Sequence, residues 1–145
     1  MCAIADGLPE YRGPTVMIYE DSDTLVFLNS YPTLRGYTLV CPRRHSERVV
    51  GDFSKQEYLQ LQRWVYRVGQ AVQQVVPTER LYLLSLGSQQ GNRHVHWHVA
   101  PLPPGVAYED QQLAALSMRG GILPISSEEM ADLAQQIRTQ LLNLG

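Results

Sequence analysis

The chain has 145 residues, of which 44% are hydrophobic and 18% charged, an ordinary composition for a globular protein of one domain. Its net charge of −2 gives no general attraction to nucleic acid or to a membrane surface. No run approaches the ~20 apolar residues that span a bilayer, and the first ten residues lack the pattern of a secretory signal. We therefore expect a soluble cytoplasmic protein without nucleic-acid or membrane partners. Its two cysteines, Cys2 and Cys41, form no spacing motif and are expected to be reduced thiols.

Short apolar runs predict strands in the first part of the chain. After a loose arm, residues 16–20 and 24–28 flank an Asp-Ser-Asp turn and predict a hairpin. A third strand is predicted over residues 37–41, ended by Pro42.

The most distinct helix signal covers residues 54–76. Ser54 and Glu57 have the spacing of a capping box, and Pro77 lies just beyond the end. Apolar residues recur every three or four positions, which predicts one buried stripe: Tyr58, Leu61, Val65, Val68, Val72 and Val75.

The remaining elements complete an α+β prediction. Strands are expected over 80–86 and 94–100, the second stopped by Pro101, and helices over 109–118 and 128–142. We predict a single domain over 1–145, an antiparallel sheet of about five strands with the long helix packed on it, plus a C-terminal helix.

Three of the four histidines, His94, His96 and His98, occupy alternate positions in one short run, and we call them the histidine row. A β-strand points alternate side chains to the same face, so the three imidazoles are expected to share one face. Val95, Trp97 and Val99 are then expected to face the core. An imidazole can be a nucleophile, a proton carrier or a metal ligand near neutral pH.

Three interpretations of the histidine row are open. All three rings do not close comfortably on one metal ion, because His94 and His98 are expected ~13 Å apart along a strand. A divalent metal would need two of the row plus a distant ligand such as His45, and a purely structural row is also possible. Nucleophilic attack on phosphorus is the third interpretation. The turn over residues 88–93 would then supply amides, a hydroxyl and the Arg93 guanidinium for phosphate oxygens.

The run His-Val-His-Trp-His-Val-Ala over 94–100 resembles the His-x-His-x-His-x-x signature of the histidine triad family. Residues 27–32 and 36–45 resemble the strand-loop-strand with which that family cradles a nucleoside, ending in Pro-x-x-His. The resemblance covers roughly residues 16–105. It does not explain the C-terminal extension over 106–145.

The resemblance implies a nucleotide hydrolase or nucleotidyl transferase acting at an α-phosphate through a covalent nucleotidyl-histidine. Substrates in the family are dinucleoside polyphosphates, nucleoside phosphoramidates and acyl-adenylates. By motif position His96 is the nucleophile, His98 contacts the phosphate and assists the leaving group, and His94 orients the nucleophile. The resemblance further implies a homodimer and a covalent step that requires no metal or other cofactor.

Further residues are assigned to nucleotide binding by their place in the pattern. Asn29 corresponds to the residue on the ribose hydroxyls, although alone it is also typical of an Asx turn. The other assigned residues are Phe27 and Leu28 in the base pocket and Gln90, Gly91 and Arg93 near the phosphate.

Two positions depart from the family pattern. Tyr37 stands where many members have a histidine, and a tyrosine can donate a hydrogen bond but cannot relay protons near pH 7. Gly91 stands where some members have a phosphate-contacting serine. The Tyr37 departure keeps open a second function, a nucleotide-binding regulatory module with little turnover, and a metal-binding protein is a third possibility. A basic group of Arg35, Arg43, Arg44 and Arg48 is either a solvated face or a polyphosphate contact.

Overall fold

The computed structural model describes residues 15–86 and 93–144, which contain five strands and three α-helices. The strands are β1 (Met17–Glu20), β2 (Thr24–Leu28), β3 (Thr38–Pro42), β4 (Arg80–Leu84) and β5 (Trp97–Leu102). The helices are α1 (Lys55–Val75), α2 (Gln111–Leu116) and α3 (Ser127–Asn143), with 3-10 turns at Tyr108–Asp110 and Met118–Gly120.

The strands form one antiparallel sheet in the order β1-β2-β3-β5-β4. β5 lies between β3 and β4, and His98 is opposite Leu39 on one side and Leu84 on the other. The predicted α+β class, five-stranded sheet, long helix and C-terminal helix are therefore confirmed. His98 lies on an interior strand, where neighbours on both sides fix its position.

Local signals explain where α1 begins and how it packs. The Ser54 side chain accepts from the Glu57 amide at 3.2 Å, and the Glu57 carboxylate accepts from the Ser54 amide at 2.7 Å. This is the predicted capping box. The buried stripe of the helix faces the sheet and comprises Leu61, Trp64, Val65, Val68, Gly69, Ala71 and Val72.

Each face of the sheet supports its own hydrophobic core. The α1-side core includes Val95, Trp97 and Val99, as the alternation predicts, together with buried residues of α1 and α3. The second core, on the opposite face, includes Phe27, Tyr37, Leu39, Cys41 and Ala115. The segment after residue 105 thus contributes to both faces, since α3 joins the α1-side core and α2 covers part of the second core.

Several predicted boundaries are wrong. β5 begins at Trp97 rather than at residue 94, because pairing with β3 and β4 covers only residues 97–102. It also continues through Pro101, which lies beyond the end of the β3 pairing, where a missing amide hydrogen is tolerated.

The other boundary corrections are smaller. β3 includes Pro42, and β4 ends at Leu84 rather than at residue 86. The helix predicted over 109–118 is the short α2 between two 3-10 turns. The helix predicted over 128–142 is α3, and its capping box joins Ser126 and Glu129.

Within the two described ranges, no helix combines the length and the apolar character needed to cross a bilayer. Cys41 is fully buried in β3, and Cys2 lies outside the described residues, so the redox state of the two thiols stays a prediction. The division of the chain into a single domain likewise stays a prediction.

Replacement of Ile137 tests whether α3 is part of the cooperative fold. This side chain is fully buried in the α1-side core, so Ile137→Ala should lower the free energy of unfolding by about 2–5 kcal/mol. The matched control is Gln136→Ala on the exposed face of α3, with an expected change within about 0.5 kcal/mol. Urea unfolding measures both, and equal stabilities of the two variants would contradict a structural role for α3.

Candidate active site

His98 projects from β5 toward the second core, next to Tyr37. The Tyr37 hydroxyl oxygen is 3.0 Å from Nδ1 of His98, and the two rings meet edge to face with centroids 5.7 Å apart. The ring of His96 also lies close to His98, with the two ring centroids 4.7 Å apart. The structure therefore brings the second and third histidines of the row together.

His96 lies just before β5 and is held by its own local backbone. Its Nδ1 is 2.7 Å from the carbonyl oxygen of His94. A carbonyl oxygen only accepts, so Nδ1 carries the hydrogen and, in the neutral ring, Nε2 has the lone pair. The Ser85 hydroxyl donates to the carbonyl oxygen of His96 at 2.8 Å and fixes the same residue from the end of β4.

His94 is fully buried and faces a different set of groups. Its Nε2 donates to the carbonyl oxygen of Pro42 at 2.6 Å, which leaves Nδ1 as the acceptor of the neutral ring. That Nδ1 is 3.4 Å from Nδ1 of His45, which in turn lies 3.2 Å from the Glu47 carboxylate through Nε2. His94 therefore orients His96 through its backbone carbonyl, while its ring anchors the run to the end of β3.

Burial keeps the whole histidine row uncharged near pH 7. Desolvation, with a smaller contribution from the charge of a protonated His96, lowers the pKa of His98 from 6.5 to about 4. Desolvation also lowers the pKa of His96, partly opposed by the hydrogen bond to the His94 carbonyl. For His94 desolvation is again the largest cause of a lowered pKa, with the nearby His45 as a smaller one. The Nε2 lone pair of His96 is thus available without prior deprotonation.

Asn29 forms the Asx turn that its sequence context also permits. Its Oδ1 accepts from the amide of Tyr31 at 3.0 Å, and its own amide donates to the Tyr37 carbonyl at 2.8 Å. The side chain is therefore held in one orientation next to the segment that carries Tyr37. The turn leaves the amide nitrogen of the side chain as a donor for another group.

Phe27 and Leu28 point to opposite faces of the sheet. Phe27 lies in the second core, in the same cross-strand row as Leu39 and His98. Leu28 belongs to the α1-side core and is 1% exposed. The expectation that both line one base pocket is therefore wrong for Leu28, because strand alternation turns its side chain away from His98.

Of the three residues assigned to the phosphate turn, Gln90 and Gly91 lie outside the described residues. Arg93 is described and exposed, directly before His94. The assignment of this turn to phosphate binding stays a prediction.

The four arginines of the basic group are each neutralised by an ion pair. Each contacts a carboxylate: Arg35 with Glu129 at 3.6 Å, Arg43 with Glu20 at 2.9 Å, Arg44 with Glu57 at 3.5 Å and Arg48 with Asp52 at 2.8 Å. These contacts favour a solvated, charge-compensated face over a polyphosphate site.

The described residues do not assemble a metal site. Within 15–86 and 93–144, no group of three or more histidine, cysteine, aspartate or glutamate side chains could hold a metal ion. The His45 and His94 rings provide a pair of nitrogens only. Binding of a divalent metal stays an alternative that the sequence alone suggests.

Two residues of the site are not evident from the sequence as members of it. Tyr37 stands out there only as a departure from the family pattern, and its contact with His98 spans 61 positions and follows from the β3–β5 register. Ser85 carries no signal, because a serine just past a strand is ordinary turn composition.

Comparison with known proteins agrees with the fold and with the histidine pattern. A model described as the HIT domain matches residues 11–104. Adenosine 5'-monophosphoramidase hnt1 of Schizosaccharomyces pombe is 27% identical over 132 residues, which cover 88% of this chain and 90% of that protein.

Solved structures show the same fold. A hypothetical histidine triad nucleotide-binding protein of Sulfolobus tokodaii matches with a TM-score of 0.75 at 25% identity, covering 99% of this chain and 91% of its own. A zinc-bound histidine triad family protein of Mycobacterium smegmatis matches with a TM-score of 0.73 at 24% identity, covering 99% and 92%.

The lowered pKa values predict that the fold weakens in mild acid. The unfolded chain protonates its histidines near pH 6.5, whereas the buried row resists protonation, down to about pH 4 for His98. The unfolded state therefore binds more protons, and the free energy of unfolding should fall as the pH falls from 6.5 to 5. Urea unfolding across this window measures the slope.

His98→Asn is the control for that slope, since it removes one of the three groups and should flatten the dependence. The window lies above the range in which the lowered pKa values of Asp52, Glu57 and Glu129 take effect. A free energy of unfolding that is constant from pH 6.5 to 5 would contradict the burial of neutral histidines.

Proposed function

Because this chain belongs to the histidine triad (HIT) family, we propose that it is a nucleotide hydrolase or nucleotidyl transferase that works through a covalent nucleotidyl-histidine. The observation that carries the proposal is the hydrogen bond from Nδ1 of His96 to the His94 carbonyl. It directs the lone pair of His96 to Nε2, which is the atom that would attack phosphorus.

The first step joins Nε2 of His96 to the α-phosphorus of a nucleotide and breaks the bond from that phosphorus to the leaving group. The leaving group takes the electrons of the broken bond. In the second step water or another acceptor attacks the same phosphorus and the bond to Nε2 of His96 breaks. The nucleotide is released, the proton of the acceptor passes to solvent, and the ring is neutral again. For hydrolysis the products are a nucleoside monophosphate and the separated leaving group.

The neighbouring groups suit this chemistry. The ring of His98, whose centroid is 4.7 Å from that of His96, can donate a hydrogen bond to an oxygen on the reacting phosphorus. The backbone carbonyl of His94 fixes the orientation of the His96 ring, and the Ser85 hydroxyl fixes the His96 backbone. The exposed Arg93 and the turn before it, with Gln90 and Gly91, would supply donors to the phosphate oxygens.

The nucleoside would lie on the face of the sheet that carries His98. Asn29 would donate its side-chain amide to the ribose hydroxyls, and Phe27 lies in the same cross-strand row as His98. Phe27 is 2% exposed, so the nucleotide base would contact the residues around Phe27 rather than the phenyl ring directly. The nature of the base and a cytoplasmic location stay predictions.

A regulatory nucleotide-binding module is the second candidate, and Tyr37 favours it. A tyrosine beside His98 cannot supply protons near neutral pH as a histidine can, and burial raises its pKa to about 12. Such a module would bind a mononucleotide without forming a covalent intermediate. The experiment on His96 distinguishes the two candidates.

Trapping the intermediate tests the nucleophile. Acid-free quenching with diadenosine triphosphate labelled at the α-phosphorus should place one adenylyl group on His96, read by peptide mass spectrometry. His96→Gly should lower kcat by at least about 10³-fold, because the attacking atom is gone. Added imidazole should restore part of that loss in His96→Gly but not change the wild-type rate.

A label on any residue other than His96, or equal turnover by His96→Gly and wild type, would contradict the assignment. Tight binding of AMP with neither adduct nor turnover would favour the regulatory module.

We also propose that two copies of the chain form a homodimer through the outer edge of β4. β4 is the last strand of the sheet order, and its outer edge pairs with no other strand of the described residues. Leu83, Leu86 and Tyr66 are 48%, 64% and 64% exposed, and Tyr66 lies one turn before Gly69, which packs on β4. An open strand edge beside exposed apolar side chains is a surface that a second copy can cover.

Sedimentation at micromolar concentration should give the mass of two chains for the wild type and of one chain for Leu83→Arg. Leu142→Arg is the matched control, because Leu142 is 62% exposed on α3, away from β4, and its replacement should leave the dimer intact. A wild-type monomer at every concentration, or a dimer that tolerates Leu83→Arg, would contradict this interface.

A further inference from the structure

Tyr37 is held rigidly beside His98. Its amide donates to the Leu34 carbonyl at 3.2 Å, and its carbonyl accepts from the Asn29 amide at 2.8 Å. The preceding Gly36 has φ +80, and a Cβ there would lie 3.1 Å from Val76, so the entry to Tyr37 requires a glycine. The tyrosine side chain is 6% exposed, and its hydroxyl ends 3.0 Å from Nδ1 of His98.

The direction of this hydrogen bond follows from the chemistry of the two groups. A buried hydroxyl needs an acceptor, and Nδ1 of His98 is the acceptor that the described residues offer it. Burial raises the pKa of Tyr37 to about 12 and lowers that of His98 to about 4, so both are neutral across the physiological range. The other group whose charge acts on His98 is His96, itself buried and neutral.

We propose that Tyr37 is a positioning residue that fixes His98 as the tautomer with its hydrogen on Nε2, and thereby selects substrates whose leaving group departs as a stable anion. The selection rests on the function proposed above. It favours anhydrides, such as dinucleoside polyphosphates and acyl-adenylates, over phosphoramidates.

The preference for anhydrides follows from whether the leaving group needs a proton when His96 attacks the α-phosphorus. When an anhydride bond breaks, a phosphate or carboxylate leaves with the bonding electrons and needs only a hydrogen bond. When a phosphoramidate bond breaks, the departing nitrogen must gain a proton to leave as an amine.

His98 is poorly placed to give that proton away. Loss of its Nε2 hydrogen would require Nδ1 to take the hydroxyl hydrogen of Tyr37, which would leave a buried phenolate. His98 is therefore a fixed hydrogen-bond donor in this chain rather than a general acid.

Nitrogen NMR of the full chain, labelled with 15N-histidine, tests the tautomer without any substrate. At pH 7.5 the wild type should show His98 with a protonated Nε2 and an unprotonated Nδ1, in one form only. Tyr37→Phe removes the donor and should give a mixture of tautomers. Tyr82→Phe is the matched control, because Tyr82 packs against the same second core, and it should leave the His98 signals unchanged.

A wild-type His98 with its hydrogen on Nδ1, or a Tyr37→Phe spectrum identical to that of the wild type, would overturn the positioning role. The NMR spectra also show whether each variant is folded, so a loss of structure is recognised directly.

Kinetics with diadenosine triphosphate and adenosine 5'-phosphoramidate test the selection. The wild type should favour the triphosphate in kcat/KM by about 100-fold or more, the usual range of a missing general acid. Tyr37→Phe should lower kcat for the triphosphate by about 2- to 10-fold with little change in KM, because only part of the His98 population then presents its Nε2 hydrogen to the transition state. Tyr37→His should shift the preference toward the phosphoramidate by about 10-fold or more, because an imidazole can pass a proton to Nδ1.

The possible outcomes separate this inference from the proposed function. Faster turnover of the phosphoramidate by the wild type, or an unchanged preference in Tyr37→His, would overturn the selection while supporting a nucleotide hydrolase. A fixed tautomer with no turnover of either substrate would support the positioning role and overturn both the selection and the proposed function.

Discussion

The hydrogen bond between Nδ1 of His96 and the carbonyl oxygen of His94 is the constraint on which the site depends. A backbone carbonyl cannot donate, so the neutral ring has one tautomer whatever lies around it. The bond is possible because β5 begins only at Trp97. Had residues 94–96 joined the strand ladder, the His94 carbonyl would have faced a neighbouring strand rather than a side chain two positions along. The late start of β5 is therefore part of the chemistry of the site.

The segment that carries this hydrogen bond is fixed from both ends. On its N-terminal side the His94 ring donates to the Pro42 carbonyl, and the Val95 amide donates to the Ser46 carbonyl at 2.7 Å. On its C-terminal side Trp97 and Val99 are buried in the α1-side core, and Tyr58 of α1 meets Trp97 edge to face at 6.1 Å. The packing of the long helix thus helps to determine where His96 and His98 lie, although α1 has no role in the reaction we propose. This arrangement places the imidazoles on a rigid element, which suits a nucleophile that must meet phosphorus in one geometry.

The parts of this structure that could be predicted from the sequence are those set by local periodicity and capping. The alternation of histidines with Val95, Trp97 and Val99 gives the correct face for these three apolar residues, which all lie in the α1-side core, although His94 lies at a bend before the strand. The alternation cannot show where pairing begins, and the predicted start of β5 lies three residues too early. The capping box at Ser54 is predictable since all of its atoms lie within four residues.

Contacts between residues far apart in the sequence are set instead by the register in which the strands pair. The partnership of Tyr37 with His98, the support of His96 by Ser85 and the turning of Leu28 away from His98 all require the pairing of β2, β3, β4 and β5. A family pattern can indicate which residues belong to a site but cannot state which atoms meet.

His96 and His98, whose ring centroids are 4.7 Å apart, are held by different kinds of hydrogen-bond partner. His96 presents a lone pair at Nε2 because a carbonyl holds its Nδ1 hydrogen, whereas Nδ1 of His98 lies 3.0 Å from the Tyr37 hydroxyl, which we propose to be its donor. Neither ring carries a charge near pH 7, since burial lowers the pKa of both. The phosphate of the proposed nucleotide substrate would therefore need neutral donors, and cations outside the buried pair, to meet its negative charge. Arg35, Arg43, Arg44 and Arg48 are each engaged with a carboxylate, whereas Arg93 is exposed and directly precedes His94 in the chain. Under the proposed function, such a site would select phosphate through hydrogen-bond direction rather than through the charge of its histidines.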